Sequence, residues 1–180
     1  MTRIHVLRPA AFLAFALALA AAIAAGTAAA SGAARAKPVP QRFTLLSANV
    51  GGKDVPMAVE AAGQIDGIGT ETQTDKDTPG GQTNYATLHF AHGTVRLRAP
   101  EQFGWKANLR TCTATASGGG RFTIEGGTGA YRGAAGRGTF TAHGILIGAR
   151  SKSGKCLGEN APPAANYVTV KAVGTISLAG

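Results

Sequence analysis

The sequence predicts an all-β fold, a single antiparallel β-barrel preceded by a helical export signal. Three observations carry this reading. Several runs alternate apolar and polar side chains with a period of two, the mark of strands with one buried and one wet face. Beyond residue 36, no run of ten or more residues spaces its apolar side chains as a helix does. Threonine, valine and glycine are abundant, and the glycines gather where strands must bend: six fall between Gly126 and Gly138 alone.

Residues 1–36 read as the export signal. Arg3 and Arg8 give a basic start, Ala10 to Ala25 an apolar helix-forming run, and Ala28-Ala29-Ala30 and Ala34-Arg35-Ala36 small-residue cleavage sites. Cleavage is expected between Ala30 and Lys37, and a secreted or extracytoplasmic location follows from it. The apolar run is short and alanine-rich for a membrane span, so membrane contact is expected only through an uncleaved signal. No cysteine precedes Cys112, so a lipoprotein anchor at the signal is not expected. The 144 residues from Lys37 suit one domain. Loss of Arg3, Arg8 and Arg35 leaves 15 basic against 9 acidic residues, and the net charge falls from +9 to +6.

Residues 37–41 are expected as an extended arm, because Pro38 and Pro40 fix φ and bias their predecessors away from helix. The barrel domain is then 42–180. Arg42 to Val50 reads as a strand, and Gly51-Gly52-Lys53-Asp54 as a turn. Pro56 to Gln73 reads as two strands bent at Gly63 or Gly67. Asp75 to Gly81 is polar and ends in Pro79-Gly80-Gly81, which reads as a loop. Asn84 to Ala99 is the clearest hairpin. Ala86, Leu88 and Phe90 share one face on the way out, Val95, Leu97 and Ala99 share one face on the way back, and Ala91-His92-Gly93 turns between. Pro100 is expected to stop that strand. Trp105 to Ala116 alternates as a further strand, and Ser117-Gly118-Gly119-Gly120 reads as a hairpin turn. Phe122 and Ile124 then face the core. Gly138 to Gly148 is a strand whose Ile145-Leu146-Ile147 run suggests burial on both faces or packing under a loop. Ala149 to Ala165 is a long polar loop. Asn166 to Leu178 closes the chain with Val168, Val170, Ala172, Ile176 and Leu178 on one face.

The run Ile124 to Phe140 organises the rest. A strand ends, a glycine-rich crossover follows, and a new strand begins. Gly126, Gly127, Gly129, Gly133, Gly136 and Gly138 allow positive φ and close backbone approach, and Tyr131 is the one large side chain between Ile124 and Phe140. Tyr131 is expected to pack as a plug. The alternative, a phosphate cradle, needs a following helix and a Gly-Lys-Ser/Thr, and a strand-like run follows instead.

The segment Gly-Gly-Thr-Gly-Ala-Tyr-Arg-Gly-Ala-Ala-Gly-Arg-Gly resembles the signature of the allene oxide cyclase and dirigent-like barrel superfamily, most of all its small secreted bacterial members. The likeness is sharp over Phe122 to Phe140 and loose over Arg42 to Leu178. It implies a calycin-like or dirigent-like antiparallel barrel of eight strands with a central cavity. In that family the glycine motif is architectural, so it brings no catalytic residue with it.

Two cysteines in an exported chain are expected to pair, as Cys112–Cys156. Closing a loop of that length stabilises by roughly 4 kcal/mol on the chain-entropy account. The histidines His89, His92 and His143 show no metal-ligand spacing and read as surface residues, so no metal or cofactor is expected. Gly-x-Ser-x-Gly is absent, and no catalytic residue is singled out. Glu60, Asp66, Glu71 and Glu125 are the carboxylates expected to reach a cavity wall, though Glu125 suits an outward partner for Arg121 or Arg137 better. Arg96, Arg98, Lys106 and Arg110 would form one basic outer patch if their strands are neighbours. Such a patch fits an anionic surface. Nucleic acid fits poorly, because the nine aromatics after residue 36 fall mainly on core faces.

Three function classes follow. The first is an exported barrel that binds a small apolar ligand or serves as an extracellular interaction module. The second is a cyclase or dirigent-type enzyme that steers a reactive intermediate, and the third a structural exported protein. Cavity content discriminates among them: polar residues pointing into an apolar cavity favour the enzyme, an apolar cavity without them favours binding, and a filled interior favours structure alone.

Overall fold

The computed structural model describes residues 36–51, 55–78, 81–157 and 161–179. The expected signal, its helix included, lies almost wholly outside the described residues. The described chain is all-β. Eight strands follow one another around a closed antiparallel barrel: β1 (Val39–Val50), β2 (Met57–Gly63), β3 (Gly67–Thr78), β4 (Gly81–Phe90), β5 (Gly93–Asn108), β6 (Thr113–Gly127), β7 (Ala135–Ile147) and β8 (Ala165–Ser177). Each strand pairs with its neighbours in sequence, and β1 pairs with β8 over twelve residues, from Val39 opposite Ile176 to Val50 opposite Ala165. Closure by that pair leaves no free edge. The seam is therefore β1 against β8, and the glycine run joins the adjacent strands β6 and β7.

Alternation sets the interior. Phe43 and Leu45 on β1, Val59 and Ala61 on β2, Ala86 and Leu88 on β4, and Val95 and Ala99 on β5 are buried. So are Phe122 and Ile124 on β6, Phe140 and Ala142 on β7, and Ala172 and Ile176 on β8. The Asn84–Ala99 hairpin forms as the pattern predicts, with Leu88 opposite Val95.

One end of the barrel is plugged. The β2–β3, β4–β5 and β6–β7 connections meet there, with the first residues of β1 and the last of β8. A single 3-10 turn, Gly129–Tyr131, lays Tyr131 into this end, where its ring is buried and meets Phe90 edge-on at 6.0 Å between centroids. Gly129 has φ +59°, and the peptide N–H of Ala130 donates to His92 O at 2.8 Å, so this turn is tied to the β4–β5 turn. Between Arg96 and Leu97 the β5–β6 register shifts, leaving Glu125 as the extra residue of a bulge just before the turn. Gln41 seals the same end. Its side-chain amide donates to Ile65 O and accepts from Ile65 N–H, both at 2.9 Å, so the backbone of the buried Ile65 finds its partners.

Several boundaries differ from the sequence reading. β1 begins at Val39, so most of the expected arm is strand, and Gln41 is buried. β3 runs through Asp75 to Thr78, because its partners on β4 continue to Gly81. Pro100 lies within β5, opposite Thr83, and does not stop the strand. The Ser117–Gly120 segment lies in the middle of β6, paired with Gln102, Phe103 and Gly104, and the turn is at 109–112 instead. Glycine is needed there for approach. A Cβ on Gly118 would strike the Phe103 ring, and one on Gly120 would strike Pro100 O and crowd the Phe140 ring. Trp105 to Ala116 is accordingly two strands and a turn. Ile145 and Ile147 are 51% and 38% exposed, so the run is not buried on both faces, since a single-walled barrel leaves one strand face wet.

Candidate functional site

The end opposite the plug is open and leads into a cavity of about 540 Å³. That volume lies within the range of small-molecule sites, and an eight-stranded barrel has room for one small ligand. Phe43, Leu45, Leu97, Phe122, Phe140 and Val170 form its apolar floor and sides. Phe103 and Trp105, on the long outer part of β5, line its mouth, and Trp105 is 64% exposed. The Cys112–Cys156 disulfide stands at this end, with its Cα atoms 5.5 Å apart. It joins the β5–β6 turn to the β7–β8 connection. Asn108 shapes that turn by accepting from the Arg110 and Thr111 peptide N–H groups at 3.1 and 3.2 Å.

One wall of the cavity is polar. β3 turns Glu71, Gln73 and Asp75 inward, on alternate residues from the depth of the barrel toward its mouth. Asn84 on β4 lies beside them, and its side-chain amide donates to Gln73 Oε1 at 2.9 Å and to Asp75 Oδ1 at 2.8 Å. Both Asn84 N–H donors are thus used within the wall. Glu101 on β5 completes it. Glu71 is 8% exposed, and its Oε2 is buried without a hydrogen-bond partner. Burial raises the Glu71 carboxyl to about 7, and the nearby charges of Glu101 and Asp75 add to the effect. Burial also raises Glu101 to about 7, again with help from Asp75. Both groups therefore exchange protons near neutral pH. Elsewhere in the cavity Asn166 Oδ1, on β8, is also buried without a partner.

The residues singled out from the sequence separate in space. Of the four carboxylates expected at a cavity wall, only Glu71 reaches it; Glu60, Asp66 and Glu125 are exposed and do not line the cavity, because strand parity turns Glu60 outward and Asp66 lies in a turn. Glu101 and Asp75, with Asn84, were not singled out. Arg96, Arg98 and Lys106 are exposed on the outer face of β5, and Arg110 in the turn beyond it. Lys106 lies eight residues past Arg98, roughly 26 Å along an extended strand. The basic side chains thus form two regions on one strand, one near each end of the barrel. His89 bonds Thr72 on the outer surface at 2.8 Å, His92 lies in the plugged end, and His143 lies at the cavity mouth. Among the described residues no group of three or more His, Cys, Asp or Glu is spaced to hold a metal ion. No helix among them is long and apolar enough to cross a membrane.

Fold and site together define a small closed β-barrel, bridged by a disulfide at its mouth, with a ligand-sized cavity and an acidic wall. Comparison of the chain with models of known protein families, with curated proteins and with solved structures finds no match.

Proposed function

We propose that this protein is an exported barrel that takes a small, mainly apolar molecule into its cavity, with the polar end of that molecule against the Glu71–Asn84–Glu101 wall. The observation that carries this is the cavity itself. It is ligand-sized, apolar on most sides and open at one end, and it holds a buried carboxyl oxygen with no partner. The disulfide is compatible with the oxidising environment that export would provide. A structural protein would fill this space with side chains.

The test uses N-phenyl-1-naphthylamine, a neutral apolar probe that fluoresces when removed from water. It should bind the oxidised protein saturably and one-to-one. Ala86→Trp, which fills the cavity from β4, should abolish the signal while far-ultraviolet dichroism keeps its β form. Binding that persists in a folded Ala86→Trp variant, or no binding to the native chain, would overturn the proposal.

Two carboxyls that titrate near neutrality in an apolar cavity favour a second reading, an enzyme of the dirigent or allene-oxide-cyclase type that the glycine motif resembles. Glu71 or Glu101 would then deliver or remove a proton at a bound intermediate. Proton transfer needs turnover of a substrate, so a ligand recovered unchanged after incubation speaks for binding alone.

A further inference from the structure

From the placement of its polar groups, we infer that the cavity is built for a cationic head group, and that its ligand is an apolar amine whose ammonium lies against Glu71, with Asp75 and Glu101 adding their charge from nearer the mouth. The inference rests on the binding reading above and adds the charge class of the ligand.

Charge is one-sided inside this barrel. Glu71 and Asp75 face the cavity from β3 and Glu101 faces it from β5. The other titratable groups that line it are His143 on β7 and Tyr167 on β8; β1, β2, β4 and β6 contribute none. Among the described residues, no lysine or arginine lines it. Among the described residues the lysines and arginines thus lie outside the cavity, and none of them faces the carboxyls inside.

The hydrogen-bonding inventory points the same way. Once ionised, Glu71 Oε2 is a buried acceptor with no donor, and Asn166 Oδ1 is a second. The Asn84 N–H groups, which could have served, are spent on Gln73 and Asp75. No donor of the wall reaches Glu71 Oε2, and an ammonium supplies three with a compact positive charge. A metal ion fits less well. Glu71 and Asp75 are four residues apart on one strand, roughly 13 Å along it, and Glu101 stands two strands away, so no single ion reaches all three. An extended apolar amine can place its head at the wall and its body among Phe43, Phe122 and Phe140.

The test compares three ligands with one ten-carbon chain, decylamine, decanol and decanoate, each displacing N-phenyl-1-naphthylamine from the oxidised protein. At pH 8 the amine should compete at least tenfold more strongly than the alcohol, and decanoate least. The advantage should shrink toward pH 5.5, where Glu71 and Glu101 hold their protons. Glu71→Gln and the less buried Glu101→Gln should each reduce the ratio of amine to alcohol competition. The pH series on the native chain stands even if one variant fails to fold. Equal competition by amine and alcohol at pH 8, with the probe bound, would overturn the amine inference and leave the binding reading intact. Failure of the probe itself to bind would instead overturn the binding reading, and the inference with it.

Discussion

Raising the pH from 5 to 8 should destabilise the barrel, and Glu71→Gln should remove most of that loss. The Glu71 carboxyl ionises at 4.5 in an unfolded chain and at about 7 in the fold. Between those values the folded protein holds a proton that the unfolded chain has released, so stability falls as pH rises. The contribution is complete below 4.5 and lost as the pH passes through about 7. At about 1.4 kcal/mol per pKa unit, it amounts to about 3 kcal/mol, equivalent to roughly 10 °C in Tm for a domain of this size. Glu101 acts in the same direction by less, since solvent reaches it and screens its charge. The assay is thermal unfolding followed by circular dichroism at pH 5, 6, 7 and 8, at fixed ionic strength. The native chain should lose about 10 °C across the series. Glu71→Gln should lose less than half of that and should exceed the native chain in Tm at pH 8. Parallel pH profiles for the two proteins, or a native Tm that rises with pH, would refute the burial of an uncompensated carboxyl in the cavity wall.

Other consequences are independent of the ligand. Replacing both Cys112 and Cys156 by serine should lower stability by up to about 4 kcal/mol, and native protein should show the same loss in reductant; chemical denaturation with and without dithiothreitol measures it. Tyr131→Ala should cost about 3 kcal/mol by emptying the plugged end, with backbone hydrogen exchange accelerating first at 128–134 and in the β4–β5 turn. Gly120→Ala should cost about 1–3 kcal/mol, because the new methyl group meets the Pro100 carbonyl and the Phe140 ring; a residue in a hairpin turn would tolerate it, and urea titration separates the two cases.

Much of the barrel is legible in its alternation. The Asn84–Ala99 hairpin, the inward Phe122 and Ile124, the last strand and the plugging Tyr131 all follow from apolar residues spaced two apart or from one large side chain among glycines. The errors cluster where that signal is absent. On β3 both faces are polar: Glu71, Gln73 and Asp75 alternate with Thr72, Thr74 and Lys76, so no apolar stripe marks its inner face, and the strand from Asp75 on reads as a loop. That inner face is the candidate site. Glu101 was hidden by Pro100, whose ring is tolerated in β5 opposite Thr83. The glycine triplet at 118–120 carries the composition of a turn, yet it is the partner surface for the Phe103 and Phe140 rings, a relation between strands that no local window contains. Burial against a cavity, which raises the two carboxyls, depends on closure of β1 against β8 and so cannot be read along the chain.

The most direct test of the account is a nuclear magnetic resonance titration of the oxidised, uniformly labelled protein with decylamine at pH 8. Shift changes should concentrate at Glu71, Asn84, Glu101 and Trp105 and saturate at one equivalent, with Arg96 and Arg98 on the outer face unmoved. Changes spread over the outer basic residues, or none along the inner faces of β3, β4 and β5, would contradict a ligand-binding interior.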